Sequence, residues 1–185
     1  YEIVLAPGVP YGGVTGNWWK HLTDLVGEET VSLHGESWPS NHEFIGDMMI
    51  VRIDDEVSQF RKEIAHSKMT AHPRVRILME DRGVQGEFRI RDLEPIALRE
   101  GEELTIGDIE ADSIDTRVMV RESGKMILCD PTKAFFSTKL QTERIETLEL
   151  ARKLRTMLGR PIRVCDPFCG VGPVLANMIS EEGLT

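Results

Sequence analysis

A chain of 185 residues is long enough for one ordinary domain or two small ones, and with 41 % apolar and 29 % charged residues it can bury a core and is not disordered by composition. Its 31 acids against 22 bases give a net charge of −9, which excludes a globally basic nucleic-acid clamp but not a locally basic one. The longest apolar runs fall far short of the roughly 20 residues needed to span a bilayer, so no membrane partner is expected.

Tyr1-Glu2-Ile3-Val4-Leu5 lacks the basic and long apolar stretches of a signal peptide. Cys129, Cys165 and Cys169 are an odd set without CxxC pairs, which points to a reduced, cytoplasmic setting and to no structural zinc. The first 42 residues hold one predicted helix, Asn17–Gly27, whose tryptophans Trp18 and Trp19 lie on its apolar stripe and read as a hydrophobic plug. Asp47–Ile53 reads as a strand, and Asp54-Asp55-Glu56 then opens a helix carrying Val57, Phe60 and Ile64, ended by Pro73. Arg74–Met79 alternates as a strand, Asp81-Arg82-Gly83 turns the chain, and Val84–Arg91 returns, continued by Leu93–Leu98.

Residues 99–115 hold Glu100, Glu102, Glu103, Asp108, Glu110, Asp112 and Asp115 against Arg99 alone, and read as a solvated acidic loop. Arg117–Arg121 and Lys125–Cys129 form a hairpin around Glu122-Ser123-Gly124. With no parallel repeat visible, 43–128 reads as a small α+β domain following an N-terminal segment, 1–42. Thr138 and Gln141 suggest a capping box for a helix over Leu140, Leu148, Ala151, Leu154 and Leu158, stopped by Gly159 and Pro161. Residues 133–163 carry eight bases and three acids, and 61–91 eight bases and four acids, two local basic signals in an acidic chain.

The strand Ile162–Asp166 leads into Asp166-Pro167-Phe168-Cys169-Gly170-Val171-Gly172-Pro173, in the form strand–DxFxGxGP–helix. Its glycines allow a tight turn and a close ligand approach, and a helix start supplies unpaired N–H groups. This is the geometry of nucleotide-type cofactor sites at the carboxyl end of a parallel strand, although a dinucleotide site more often reads GxGxxG. An acid opening the loop and a Pro after the second glycine match the first motif of class I methyltransferases, which bind S-adenosylmethionine.

Three further blocks precede it: Phe44-Ile45-Gly46-Asp47 with its strand, Gly86-Glu87-Phe88-Arg89-Ile90-Arg91-Asp92-Leu93-Glu94, and Lys133-Ala134-Phe135-Phe136-Ser137-Thr138-Lys139-Leu140-Gln141-Thr142-Glu143-Arg144. In this order the four blocks resemble the archaeal and eukaryotic tRNA guanine-37 N1-methyltransferases, over about residues 40–180. The resemblance implies an α/β chain: an α+β substrate-side domain, then the start, 129–185, of a Rossmann-like cofactor domain. It implies transfer of a methyl group from S-adenosylmethionine to N1 of the guanosine 3′ of the anticodon, with a tRNA as partner. No protein partner is evident, and a monomer is expected.

Guanine N1 must lose a proton to attack, and charge then develops toward O6, so a base and a cation are needed. By the resemblance Glu143 is the base and Arg89 the charge-stabilising cation. Ser137, Arg144, Asp166, Phe168, Gly170, Gly172 and Pro173 would bind the cofactor, and Phe135, Lys139 and Arg91 the RNA. Phe135, Thr138, Lys139, Pro167 and Cys169 depart from the family's usual residues, and the family's later N-x-P-x motif and further sheet strands have no counterpart, so the chain is expected to be part of a longer, catalytically complete protein. Alternatives are a wyosine-pathway aminocarboxypropyl transferase of the same fold, whose K-V-M-F-S-x-G-N block is not matched at 133–140, a non-catalytic RNA-recognition module, and a small-molecule methyltransferase.

Overall fold

The computed structural model of the chain describes residues 17–184 apart from 88, 89, 108 and 180. Its central sheet has five strands in the order β1-β2-β3-β4-β5: Glu43–Ile45, Met48–Val51, Ile77–Gln85, Ile90–Glu100 and Glu103–Ile106. β2 and β3 run parallel, and the other neighbours are antiparallel. The parallel pair is joined by a 3-10 turn, Asp55–Phe60, and helix α3, Arg61–Ala71. One crossover is therefore present where the sequence pattern shows no parallel repeat. Before the sheet come α1, Trp18–Val26, and α2, Glu28–His34.

All four residues of β2 are buried, because both faces of the sheet are covered. On one face Met49, Val51, Leu78 and Ala97 pack with Ile64 and Met69 of α3 and with Trp18 and Leu22 of α1. Trp18 thus acts as the expected plug, and Trp18, Leu22 and Trp38 from the segment before residue 43 share the core with the sheet. On the other face Ile50, Ile77, Met79 and Leu93 meet Val118, Val120, Ile127 and Cys129. These last four belong to the expected hairpin, a separate two-stranded sheet of β6, Val118–Glu122, and β7, Lys125–Cys129.

The hairpin is seated by the Ile45-Gly46-Asp47 turn. Gly46 has φ +61, and a Cβ there would lie 2.8 Å from the Met119 carbonyl oxygen and 3.2 Å from Val118 Cβ. Asp47 Oδ2 accepts from Arg76 Nε at 2.7 Å, and Arg76 also donates to the Asp115 carbonyl at 2.7 Å and the Arg117 carbonyl at 3.0 Å. One turn and one guanidinium thereby join the main sheet to the start of β6.

Four local expectations are corrected. Asp81-Arg82-Gly83 does not reverse the chain. Asp81 Oδ1 accepts from Gly83 N at 2.9 Å and the register shifts between Asp81 and Val84, so β3 kinks and runs on to Gln85, with the reversal at Gly86-Glu87. The 99–115 stretch is not all loop: Leu104 and Ile106 pack on the core, which draws β5 onto the sheet while Glu103 faces water. Thr138 caps nothing. Ser137 is the N-cap instead, its Oγ accepting from Lys139 N at 3.3 Å to open a 3-10 turn, Thr138–Leu140, ahead of α4, Gln141–Leu158. The strand expected at Ile162–Asp166 reduces to one parallel bridge, Ile162 to Leu184, because among the described residues no strand lies alongside to extend the ladder.

The central Pro95 of β4 lies opposite Met79, at the other register shift, where a missing N–H breaks no regular pairing. At the C-terminal end α4 packs on α5, Pro173–Met178, through Leu148 and Met178, with Leu184, Ile162 and Val164 completing a small cluster. Gly159 ends α4 in the left-handed conformation, as its position before Pro161 predicts. Among the described residues no helix is long and apolar enough to cross a membrane.

Candidate cofactor and transfer site

The segment leaving β7 is pinned at its start. Asp130 Oδ1 accepts from Thr132 Oγ1 at 2.6 Å, Thr132 N at 3.1 Å and Thr116 Oγ1 at 2.9 Å. Burial pushes the Asp130 carboxyl upward, but these bonds and Lys133 outweigh it and hold the group below its ordinary range. From this anchor Phe135 points outward, 53 % exposed, whereas Phe136 and Ser137 are buried.

Arg144, on the first turn of α4, is only 6 % exposed. Its Nη2 donates to the Ser137 carbonyl at 2.6 Å, its Nη1 pairs with Glu122 Oε2, and its Cζ lies 5.1 Å from the Phe136 ring centroid. The guanidinium therefore ties the hairpin, the 135–137 segment and α4 together. Glu143 is exposed, between Leu140 and Arg144.

The glycine turn follows the expected local chemistry. Asp166 Oδ1 accepts from Phe168 N at 3.0 Å, and Gly172 N donates to the Cys169 carbonyl at 2.7 Å. Gly170 and Gly172 have φ +53 and +75, conformations that L side chains rarely adopt. Gly172 caps α5 and Pro173 takes its first position. Phe168 stands at the turn's tip, 93 % exposed.

These two segments face one another across an open cleft of about 650 Å³, within the usual range of small-molecule sites. One wall is Lys133–Ser137, Leu140 and Arg144. The other is Asp166–Gly170, Pro173 and Val174, with Ile90 between. Of the expected site residues, Phe135, Ser137, Arg144, Asp166, Phe168, Gly170 and Pro173 line this cleft. Gly172 lines the adjoining apolar groove with Val164 and Leu175. Glu143 and Lys139 are exposed and are not among the lining residues. Arg91 stands beside the cleft, its Cζ 5.7 Å from the Phe135 ring, and its Nη1 donates to Glu43 Oε2 at 2.8 Å. Arg89 lies outside the described residues; its neighbour Ile90 lines the cleft.

The two basic segments are more neutralised than their composition suggests. Arg61 pairs with Glu80 at 2.7 Å and Glu94 at 2.9 Å, Arg76 with Asp47, Arg91 with Glu43, and Arg152 with Glu149 and Glu181. Sequence reasoning missed Glu122. The signal was present: Val118 and Val120 alternate inward, so an acid two positions on also points inward, where it needs a cation.

The cleft fits an S-adenosylmethionine-sized ligand: it has room, one turn made permissive by two glycines, a carboxylate at Asp166 and apolar rings at Phe135 and Phe168. Residues 22–103 match the family described as the TYW2 N-terminal domain. The tRNA (guanine(37)-N(1))-methyltransferase Trm5b of Pyrococcus abyssi is 30 % identical over 136 residues, which cover 73 % of this chain and 35 % of that protein. Among solved structures, the complex of aTrm5 and tRNALeu aligns with a TM-score of 0.52 and 25 % identity, over 70 % of this chain and 35 % of that one. Pyrococcus horikoshii TYW2 in complex with MeSAdo aligns at 0.59 with 21 % identity, over 90 % of this chain and 49 % of that one, a likeness of fold.

Fold and cleft together define an α/β chain of the architecture that Trm5 and TYW2 structures share. The chain is a relative of the tRNA guanine-37 N1-methyltransferases, as its four sequence blocks imply. It spans about a third of the length of the curated relatives it matches.

Proposed function

We propose that the protein carrying this chain transfers a methyl group from S-adenosylmethionine to N1 of guanosine 37 in tRNA. One observation carries the reading: the 133–144 segment and the 166–173 turn, which the resemblance assigns to one site, line one cleft although residues 145–165 separate them. The bound cofactor would supply an electrophilic methyl group on a sulfonium. Asp166, Phe168, Gly170 and Pro173 would hold it by one wall, with Gly172 shaping the turn, and Ser137 and Arg144 by the other.

Glu143, flanked by the lining residues Leu140 and Arg144, takes the proton from guanine N1. Arg89 balances the charge that develops at O6. Phe135 offers an exposed ring for a base to stack on, and Arg91 and Lys139 approach the phosphates. In this reading residues 43–128 form the substrate side, 129–185 begin the cofactor side, and the tRNA anticodon loop is the partner.

A second reading, aminocarboxypropyl transfer by a wyosine-pathway enzyme, is favoured by the family match over residues 22–103 and by the fold likeness to TYW2. The two differ in the group transferred, so mass spectrometry of a tRNA transcript after incubation with the full-length protein and S-adenosylmethionine separates them. One methyl on G37 and none on an A37 transcript supports the first reading; an aminocarboxypropyl adduct supports the second. Glu143→Gln is expected to lower turnover by about 10²-fold or more while leaving cofactor affinity nearly intact. Full turnover in that variant would remove Glu143 as the base.

A further inference from the structure

Glu122 has no place in the four sequence blocks, yet it is 2 % exposed and carries a carboxylate into the interface between the hairpin and the start of α4. Its Oε2 meets Arg144 Nη1, while Oε1 is buried with no hydrogen-bond partner among the described residues. A buried ion pair with one oxygen unsatisfied is a poor way to gain stability, since a well-packed apolar pair would do as well or better. What the pair does supply is direction. Arg144 is held from one side by Glu122 and from the other by the Ser137 carbonyl at 2.6 Å, and its planar fork fixes both. Glu122 is in turn fixed by the seat of the hairpin on Gly46 and Arg76.

We propose that Glu122 is a positioning residue for the transfer reaction: by holding Arg144 from the hairpin it sets the angle of the first turn of α4, and with it Glu143 and Ser137, toward the cleft. This rests on the reading of the cleft as the transfer site. The control runs from the β1–β2 turn through the hairpin to α4, with this carboxylate as the polar link between the hairpin and the first turn of α4.

The test uses the full-length protein, labelled S-adenosylmethionine and a G37 tRNA transcript. Glu122→Gln keeps the shape and removes the charge. Glu122→Asp keeps the charge and shortens the reach, and serves where the first variant folds poorly. The transfer rate per cofactor-binding molecule is expected to fall about 10- to 100-fold in either variant, with KM for tRNA unchanged. A merely structural Glu122 would lower the melting temperature and the active fraction but leave the rate per folded molecule at the wild-type value, and that result overturns the proposal. Glu143→Gln, run in parallel, separates the two readings. If it abolishes turnover and the Glu122 variants do not, only this inference fails. If it leaves turnover intact while the Glu122 variants lose it, the base assignment fails and Glu122 acts through Ser137 and Arg144. A wild-type protein that transfers nothing to tRNA removes both.

Discussion

An alanine at position 46 would set its Cβ 2.8 Å from the Met119 backbone oxygen of β6, so the backbone would have to shift, in a left-handed conformation besides. Gly46→Ala is therefore expected to cost about 1–3 kcal/mol, readable as a lower urea midpoint with an unchanged slope. A substitution at Gly27, where a Cβ would meet nothing within 4 Å, carries only the conformational part of that penalty. Lys68 poses a different single-residue problem. It is fully buried, donates to the Pro39 carbonyl at 2.5 Å and sits 3.7 Å from the centroid of the Trp18 ring.

Burial lowers the Lys68 ammonium to about 8 from an ordinary 10.5. Between those values the unfolded chain binds more protons than the folded one, so this group makes stability rise with pH across that window. Lys68→Met should flatten the rise. Comparing urea midpoints at the two ends of the window in wild type and variant checks it; parallel slopes would contradict it.

At the scale of elements, what the sequence revealed and what it hid divide by range. The β6–β7 hairpin, α1 and the glycine turn with its Pro-started helix were legible, because each is fixed by a period, a cap or a turn within a few neighbouring residues. β5 was not, since its membership depends on Leu104 and Ile106 finding a core built by distant residues, and the acids around them mask two apolar positions. The pairings that commit the arginines were equally hidden: Glu122 is 22 residues from Arg144, and Glu43 is 48 from Arg91. Composition counted those arginines as a basic surface, and only the fold brings the carboxylates to them. The residues lining the two cleft walls, Val174 apart, fall within the motif blocks, whereas the exposure of Glu143 and the burial of Arg144, adjacent in sequence, came from how α4 lies on its neighbours.

Across the whole molecule, the two cores on opposite faces of the sheet have different tasks. The face under α1 and α3 closes the unit built on the five-stranded sheet on itself. The opposite face carries the hairpin, and the same cluster takes in Phe136 and leans on Val171 and Ala176 from the far end of the chain. The cleft thus forms where the segment that leaves the hairpin meets a later glycine turn.

The sheet also has a free border, and its make-up decides how the molecule behaves in company. β5 is four residues long, follows Glu100 and Glu102, and shows Glu103 to water. A bare strand border invites a second copy to zip alongside, and a short one edged with like charges refuses it. Replacing Glu102 with Thr and Glu103 with Val should leave the melting temperature where it is yet make light scattering climb with concentration at neutral pH. The acids that look like idle decoration in the primary structure would then be what discourages neighbouring molecules from joining at that border.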